Sequence, residues 1–150
     1  MSDNELGEVL FSADQITARV KELGESISRD YAGRDLVLAG VLRGAAFFLI
    51  DLARAISIPI AVDFIAISSY GPTSKASGVV RIVKDLDEEI AGRDLLVVED
   101  IVDTGLTLGY LLRILRERGP ASLKVCSLLD RNVRRIVEPP VAYRGFVVPD

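Results

Sequence analysis

The apolar residues of this chain fall into short runs of two kinds. In one kind they recur at every third or fourth position, which is typical of a helix with one buried face, and in the other they are continuous, which is typical of a strand buried on both sides. The predicted helices are 13–29, 45–55 and 106–118. The predicted strands are 36–42, 62–67, 79–83, 95–99 and 125–129.

Two local signals mark where helices begin and end. Ser12-Ala-Asp-Gln15 has the pattern of a capping box, so we predict that the first helix begins directly after Ser12. Gly119-Pro120 is typical of a helix stop, because a left-handed glycine and a proline do not continue a helix. The first helix is predicted to be a structural element. Its predicted buried face consists of Ile16, Val20, Leu23 and Ile27.

Strands that alternate with helices predict an α/β fold, an open and mostly parallel β-sheet with helices on both faces. At 150 residues, of which 49% are hydrophobic, the chain has the size of a single domain, 1–150. In such sheets, ligands bind at the carboxyl ends of the strands, in the loops that lead into the helices. The candidate loops are 42–44, 68–78, 99–107 and 130–138.

The chain contains no histidine. This excludes Ser-His-Asp and Cys-His nucleophile arrangements, histidine metal sites and acid-base catalysis by imidazole. Any chemistry must come from carboxylates, Lys and Arg, hydroxyls, backbone amides or a metal ion held by oxygen atoms.

Charge and targeting patterns limit the possible partners and the cellular location of the protein. The net charge of −4 argues against general attraction to nucleic acid or to anionic membranes. Cys126 lies in an apolar run, so we predict a buried thiol, and a single cysteine allows no disulfide within the chain. The acidic amino terminus lacks a secretory pattern, and the most apolar stretch, 36–50, is shorter than the about 20 residues that cross a bilayer. We expect a cytoplasmic protein.

The segment 97–108 is the most informative part of the sequence. Three carboxylates, Glu99, Asp100 and Asp103, lie at the end of an apolar strand, and a Thr-Gly-Leu-Thr turn at 104–107 begins a helix. Backbone amides, two hydroxyls and the positive end of a helix dipole together suit a phosphate monoester. Carboxylates beside a phosphate are explained if they bind ribose hydroxyls, an oxygen-ligated Mg²⁺, or both.

Any one of these residues alone fits an ordinary acidic loop with a helix cap equally well. The full run is more specific, and it lacks both the P-loop pattern and the Gly-x-Gly-x-x-Gly dinucleotide pattern. Those two kinds of nucleotide site are therefore excluded.

The run Glu99-Asp-Ile-Val-Asp-Thr-Gly-Leu-Thr107 resembles the phosphoribosyl-diphosphate signature of the type I phosphoribosyltransferases, in particular their hypoxanthine-guanine branch. The resemblance extends from about residue 8 to residue 150. It is carried in order by the segments 41–45, 63–71, 77–86, 99–107 and 143–146. It implies the fold predicted above, with a small hood made from the terminal segments, and a usual state of homodimer or homotetramer.

The resemblance implies a role for each residue of the acidic loop. Glu99 and Asp100 would hold the ribose hydroxyls together with Mg²⁺, and Asp103 would be the general base or proton carrier at the purine N7. The residues that would hold the 5′-phosphate of phosphoribosyl diphosphate are Thr104, Gly105, Leu106 and Thr107.

Roles outside this loop follow from the same resemblance. Arg43-Gly44 matches the position that binds pyrophosphate, where the family usually has Lys before Gly, and the peptide before this residue is often cis. Ser69-Tyr70 would begin a mobile loop that closes over the reaction centre. The alternative interpretation of this loop is an ordinary surface loop. Arg131 matches the Lys that donates to the 6-oxo group of the purine. For the remaining arginines nearby, Arg134 and Arg135, we predict a solvated basic face.

These roles imply a Mg²⁺-dependent transferase of purine salvage, which converts hypoxanthine or guanine and phosphoribosyl diphosphate to IMP or GMP and pyrophosphate. Compared with the family, the 150 residues lack a C-terminal segment with a purine-stacking aromatic residue and an acidic residue for a second Mg²⁺. Two alternatives therefore stay open. One is a regulatory module that binds phosphoribosyl diphosphate without catalysis, or binds RNA through Arg131, Arg134 and Arg135, and the other is an enzyme that prefers xanthine.

Overall fold

The structure is a computed structural model, and it describes residues 11–69, 79–132 and 135–148. The helices are α1 (Ala13–Asp30), α2 (Ala46–Ala55) and α3 (Leu106–Arg116). The strands are β1 (Leu36–Leu42), β2 (Ile60–Ser69), β3 (Val80–Lys84), β4 (Asp94–Val102), β5 (Ser122–Asp130) and β6 (Val141–Val147).

The strands form one sheet in the order β3-β2-β1-β4-β5-β6. Neighbouring strands are parallel, except that β3 pairs with β2 antiparallel at one edge. The register aligns the strand starts: Leu36 of β1 pairs with Asp94 of β4, and Asp94 pairs with Ser122 of β5. The prediction of an open, mostly parallel sheet is confirmed, and the carboxyl ends of β1, β4 and β5 lie side by side.

The central strands contribute to two separate hydrophobic layers. Consecutive side chains of a strand point to opposite faces of the sheet. In β1, Leu36 and Leu38 therefore pack with α1 and α2 on one face, and Val37 and Ala39 pack with α3 on the other. All four residues are at most 1% exposed, so the continuous apolar run reflects burial on both sides.

The start of α1 has the predicted capping box. The backbone N–H of Gln15 donates to Ser12 Oγ at 3.1 Å, and the backbone N–H of Ser12 donates to Gln15 Oε1 at 2.7 Å. Val20, Leu23 and Ile27 are buried, which confirms the predicted inner face.

The structure differs from the predicted boundaries mainly at strand ends. β2, β4 and β5 extend beyond their apolar runs, because backbone hydrogen bonds to a neighbouring strand continue through polar residues. β6 was not predicted as a strand, since its half-exposed edge position allows polar residues such as Arg144. The N-terminal part of the predicted hood, residues 1–10, lies outside the described residues. No helix among the described residues has the length and hydrophobicity to span a membrane.

Candidate active site

The loop after β1 and the acidic end of β4 are in close contact. A Cβ atom placed on Gly44 would stand 2.6 Å from Asp100 Oδ2, so only glycine allows this approach without a shift of the carboxylate. The peptide bond between Leu42 and Arg43 is cis, as the resemblance implies. Arg43 is exposed, so the expected pyrophosphate residue is accessible beside the acidic pair.

Glu99 and Asp100 both lie within β4, so the prediction that the strand ends at Glu99 is wrong. Pairing with β5 continues from Glu99 opposite Ser127 to Val102 opposite Asp130, and these hydrogen bonds extend the strand through the acids. Asp100 Oδ1 also accepts a hydrogen bond from the N–H of Ile101 at 2.8 Å. The paired backbone of the strand thereby fixes the Cα positions from which the two carboxylate side chains extend.

The two adjacent carboxylates suit a cation. Burial of Glu99, together with the negative charge of Asp100, raises the pKa of Glu99 to about 8. A bound cation would relieve both effects. Mg²⁺ is usually held by one or two carboxylates plus water and substrate oxygens. The described residues contain no cluster of three or more metal-binding side chains. This carboxylate pair therefore fits a Mg²⁺ that shares its ligands with a substrate.

The turn that follows β4 depends on the backbone conformation of its glycine. Gly105 has φ 83°, a left-handed conformation that favours glycine. The N–H of Leu106 donates to Thr104 Oγ1 at 3.3 Å, and α3 begins at Leu106. Because α3 follows β4, its N-terminus lies at the same edge of the sheet as the acidic pair. The predicted turn and helix start at 104–107 are confirmed, and the binding of a 5′-phosphate there stays a prediction.

The loop after β5 brings Arg131 to Asp103. The guanidinium Nη1 of Arg131 lies 3.7 Å from Asp103 Oδ2, and both side chains are about one-third exposed. The N–H of Arg131 donates to the carbonyl of Val102 at 2.9 Å, which links the two strand ends directly. The expected proton carrier and the expected purine-binding residue are therefore neighbours.

The prediction that Arg135 belongs to a solvated basic face is wrong. Its side chain is 8% exposed and forms an ion pair with Asp130, whose side chain is 2% exposed. Arg135 also donates from Nε to the backbone carbonyl of Asp103 at 3.0 Å and from Nη1 to Glu138 Oε1 at 3.0 Å. The predicted basic face fails because buried carboxylate and carbonyl acceptors are available to this guanidinium. Arg134 lies outside the described residues.

The segment after Arg135 is bonded to the turn before α3, which the sequence did not indicate. The N–H groups of Ile136 and Val137 donate to the carbonyl of Thr104 at 2.7 and 3.0 Å. These are backbone contacts between distant segments, so no pattern of residue types predicts them. Of the expected lid residues, Tyr70 and the side chain of Ser69 lie outside the described residues.

The arrangement defines a class of protein. Acids at the end of β4, a glycine turn before α3 and an arginine after β5 occur on an open parallel sheet, and residues 10–149 match the family model of the phosphoribosyl transferase domain. The chain belongs to the phosphoribosyltransferase family.

Within this family, the chain is similar to hypoxanthine-guanine and hypoxanthine phosphoribosyltransferases. The chain is 51% identical over 148 residues to the hypoxanthine-guanine phosphoribosyltransferase of Mycobacterium tuberculosis H37Rv, covering 95% of this chain and 73% of that protein. It is 46% identical over 145 residues to the hypoxanthine phosphoribosyltransferase of Escherichia coli K12, covering 95% and 82%. The crystal structure of a Staphylococcus aureus hypoxanthine phosphoribosyltransferase superposes with a TM-score of 0.93 at 39% identity, covering 98% and 80%.

Proposed function

We propose that this protein transfers the phosphoribosyl group of phosphoribosyl diphosphate to N9 of hypoxanthine or guanine, releasing pyrophosphate and forming IMP or GMP. The observation that carries the proposal is the pair formed by Asp103 and Arg131, 3.7 Å apart at the carboxyl edge of the sheet. The names and the high identity of the relatives support the same substrates.

The pair accounts for recognition and for proton transfer together. Arg131 donates a hydrogen bond to the 6-oxo group of the purine, and Asp103 accepts the proton that leaves N7 as the bond between N9 and C1′ forms. The electron pair of the broken C1′–O bond leaves with pyrophosphate. Arginine at position 131 has a longer and flatter head than lysine, and we expect it to affect the choice among 6-oxopurines.

The other residues hold the phosphoribosyl diphosphate. The turn with Thr104, Gly105, Leu106 and Thr107 binds the 5′-phosphate through its amides and hydroxyls. Arg43-Gly44 binds the pyrophosphate group, which leaves beside Asp100. Ser69 and Tyr70 belong to the loop that closes over the centre and excludes water from an oxocarbenium-like transition state.

Glu99 and Asp100 bind the ribose hydroxyls, and they are the residues that would hold Mg²⁺. When bound, Mg²⁺ supplies charge neutralisation for the pyrophosphate group. The two carboxylates orient the ribose so that C1′ faces the purine, and burial together with the negative charge of Asp100 raises the pKa of Glu99, which a cation would offset.

The test is the formation of IMP and GMP by the purified protein with Mg²⁺, compared between wild type and Asp103→Asn. We expect Asp103→Asn to lower kcat by about 10²–10⁴-fold, because only the proton acceptor is removed. The binding of phosphoribosyl diphosphate, measured by calorimetry, should stay near normal. Asp87→Asn is the matched control, since the Asp87 side chain is 90% exposed and follows β3, which runs antiparallel to the strands whose carboxyl ends form the candidate site.

Each result has a separate meaning. Wild-type protein without a Mg²⁺-dependent product from hypoxanthine, guanine, xanthine or adenine would refute the transferase. Faster turnover of xanthine than of hypoxanthine and guanine would favour the xanthine-preferring alternative. Full activity of Asp103→Asn would refute the role of Asp103 alone.

A further inference from the structure

The guanidinium of Arg135 lies between the ends of β4 and β5, where the regular pairing of the two strands stops. The last paired residues are Val102 and Asp130. Asp103 and Arg131, the next residues along each strand, are those to which the proposed function gives the proton transfer and the purine contact. The N–H of Arg131 is already held by the carbonyl of Val102 at 2.9 Å, so the group that holds the backbone of Asp103 sets the distance between the two.

Arg135 contacts both sides of this gap. Its Nε donates to the carbonyl oxygen of Asp103 at 3.0 Å, and its Nη2 is paired with Asp130 Oδ1. One planar group thus holds the backbone of the residue that accepts the proton and the side chain of the residue directly before Arg131. A guanidinium is suited to this, because its N–H groups point in fixed directions within one plane.

The contacts of Arg135 with Asp130 and Asp103 are shielded from water, so water cannot easily replace them. Arg135 and Asp130 are 8% and 2% exposed at their side chains, so the loss of either partner leaves a polar group without water. The third contact of Arg135, to Glu138 Oε1, is different. The Glu138 side chain is 70% exposed, so water can replace a lost hydrogen bond at little cost in free energy. The contacts to Asp103 and Asp130 therefore define the position of Arg135.

We propose that Arg135 is a positioning residue that sets the place of Asp103 relative to Arg131 through its bonds to the Asp103 carbonyl and the Asp130 carboxylate. This role rests on the proposed function. It predicts a specific defect in the chemical step when Arg135 is replaced, with the binding of phosphoribosyl diphosphate preserved.

The chain offers a matched control in Arg144. The Nε of Arg144 donates to Asp130 Oδ2 at 2.9 Å, so Arg135 and Arg144 hold the two oxygens of one carboxylate. Of these two arginines, as the structure describes them, Arg135 is the one that also donates a hydrogen bond to the carbonyl of Asp103. Arg135→Gln and Arg144→Gln each leave Asp130 with one guanidinium, and they differ in the link to Asp103.

The experiment measures kcat and KM for IMP formation in both variants, with thermal unfolding to verify the fold. We expect Arg135→Gln to lower kcat by about tenfold or more, because small displacements of a catalytic group have effects of this size. The KM for phosphoribosyl diphosphate should stay within about twofold. Arg144→Gln should keep kcat within about twofold. Arg135→Lys, which retains the charge but replaces the planar fork of donors with a single nitrogen, should also lower kcat and guards against misfolding of the glutamine variant.

A double-mutant cycle separates positioning from general stabilisation. If Arg135 acts through Asp103, Arg135→Gln should lower the residual kcat of Asp103→Asn by less than about threefold. The same loss in both backgrounds, or an equal loss in Arg144→Gln, would overturn the positioning role and leave the transferase standing. A wild-type protein without turnover would overturn the transferase, and the positioning role with it.

Discussion

At the scale of single residues, two glycines with nearly the same backbone conformation have different surroundings. Gly105, at the turn before α3, has φ 83°, and Gly33, after α1, has φ 76°. A Cβ atom on Gly105 would overlap the carbonyl oxygen of Val137, whereas a Cβ on Gly33 would have no neighbour within 4 Å. Gly33 therefore needs glycine for its backbone alone, and Gly105 needs it for its backbone and for the approach of the loop after β5.

This difference predicts unequal effects of the same substitution. Gly33→Ala should lower the free energy of unfolding by about 1–2 kcal/mol, the cost of a left-handed alanine. Gly105→Ala should lower it by clearly more, because the contact with Val137 is lost in addition. Urea denaturation of both variants provides the measurement, and equal losses would show that the contact contributes nothing.

The single cysteine shows that residue-level reasoning succeeds where the environment is a continuous apolar run. Cys126 was predicted to be buried, and it is 0% exposed in the hydrophobic layer that contains α1 and α2. Burial raises the pKa of its thiol to about 12. The thiol is therefore protonated at neutral pH and inert as a nucleophile, and the proposed reaction needs no role for it.

At the scale of elements, the crossing of α1 and α2 depends on one glycine. Gly24, on the inner face of α1, lies directly against the backbone and side chain of Ala55 at the end of α2. A Cβ on Gly24 would overlap the carbonyl oxygen of Ala55, which belongs to the backbone and cannot rotate away. The two helices that cover one face of the sheet are thereby held close together.

Alanine at this position tests which of two opposing effects is larger. Helix propensity favours alanine over glycine by about 1 kcal/mol, and overpacking costs about 1–3 kcal/mol. We expect Gly24→Ala to be destabilising by thermal and urea unfolding. In the control, Gly109→Ala in α3, the new Cβ would be 3.1 Å from a side-chain methyl of Val137, which can shift. A stability of Gly24→Ala above that of Gly109→Ala would contradict the close approach.

β4 differs from its prediction at its carboxyl end. The predicted strand ends at Glu99, where polar residues follow the apolar run, yet β4 extends to Val102. Backbone pairing with β5 does not depend on side-chain polarity, and the ligand-binding edge of a sheet is the place where polar side chains on a strand are useful. The binding role of the acidic pair stays a prediction, and the strand includes Asp100, which was predicted to lie in the polar loop.

At the scale of the whole molecule, Asp94 links three segments at the edge of the sheet opposite the active site. Its carboxylate accepts hydrogen bonds from Arg34 Nε at 2.9 Å, Arg34 Nη2 at 3.1 Å and Ser122 Oγ at 2.5 Å. Burial alone would raise the pKa of Asp94, but the hydrogen bonds from Ser122 and Arg34 outweigh it and hold the pKa below its usual value.

The lowered pKa predicts how stability depends on pH. The folded protein prefers ionised Asp94 more than the unfolded chain does, so its contribution is fully present above the unfolded pKa of about 3.9. It is lost as pH falls through the lower folded pKa. In urea denaturation from pH 7 to pH 2.5, Asp94→Asn should be less stable than wild type at pH 7, and the difference should shrink below about pH 4. The exposed Asp87→Asn serves as control, and a gap between wild type and Asp94→Asn that is constant with pH would contradict this linkage.

Other whole-molecule expectations stay predictions. They include the homodimer or homotetramer, the Mg²⁺ dependence and the cytoplasmic location. The RNA-binding alternative loses one of its three arginines, because Arg135 is buried against Asp130 and cannot reach a phosphate backbone.

The sequence by itself determined the order of the elements up to β5, the mostly parallel sheet and the acidic signature of Glu99 to Thr107. Periodicity, caps and apolar runs are local, so they can be recognised without a structure. The absence of histidine also pointed to carboxylates and amides before any motif was considered. Only the tertiary structure decided that β4 extends through Asp100 to Val102, and that Arg135 is buried with Asp130 and bonded to Asp103, 32 positions away. A charged residue is solvated or buried according to which distant groups meet it, and that depends on the packing of the whole chain.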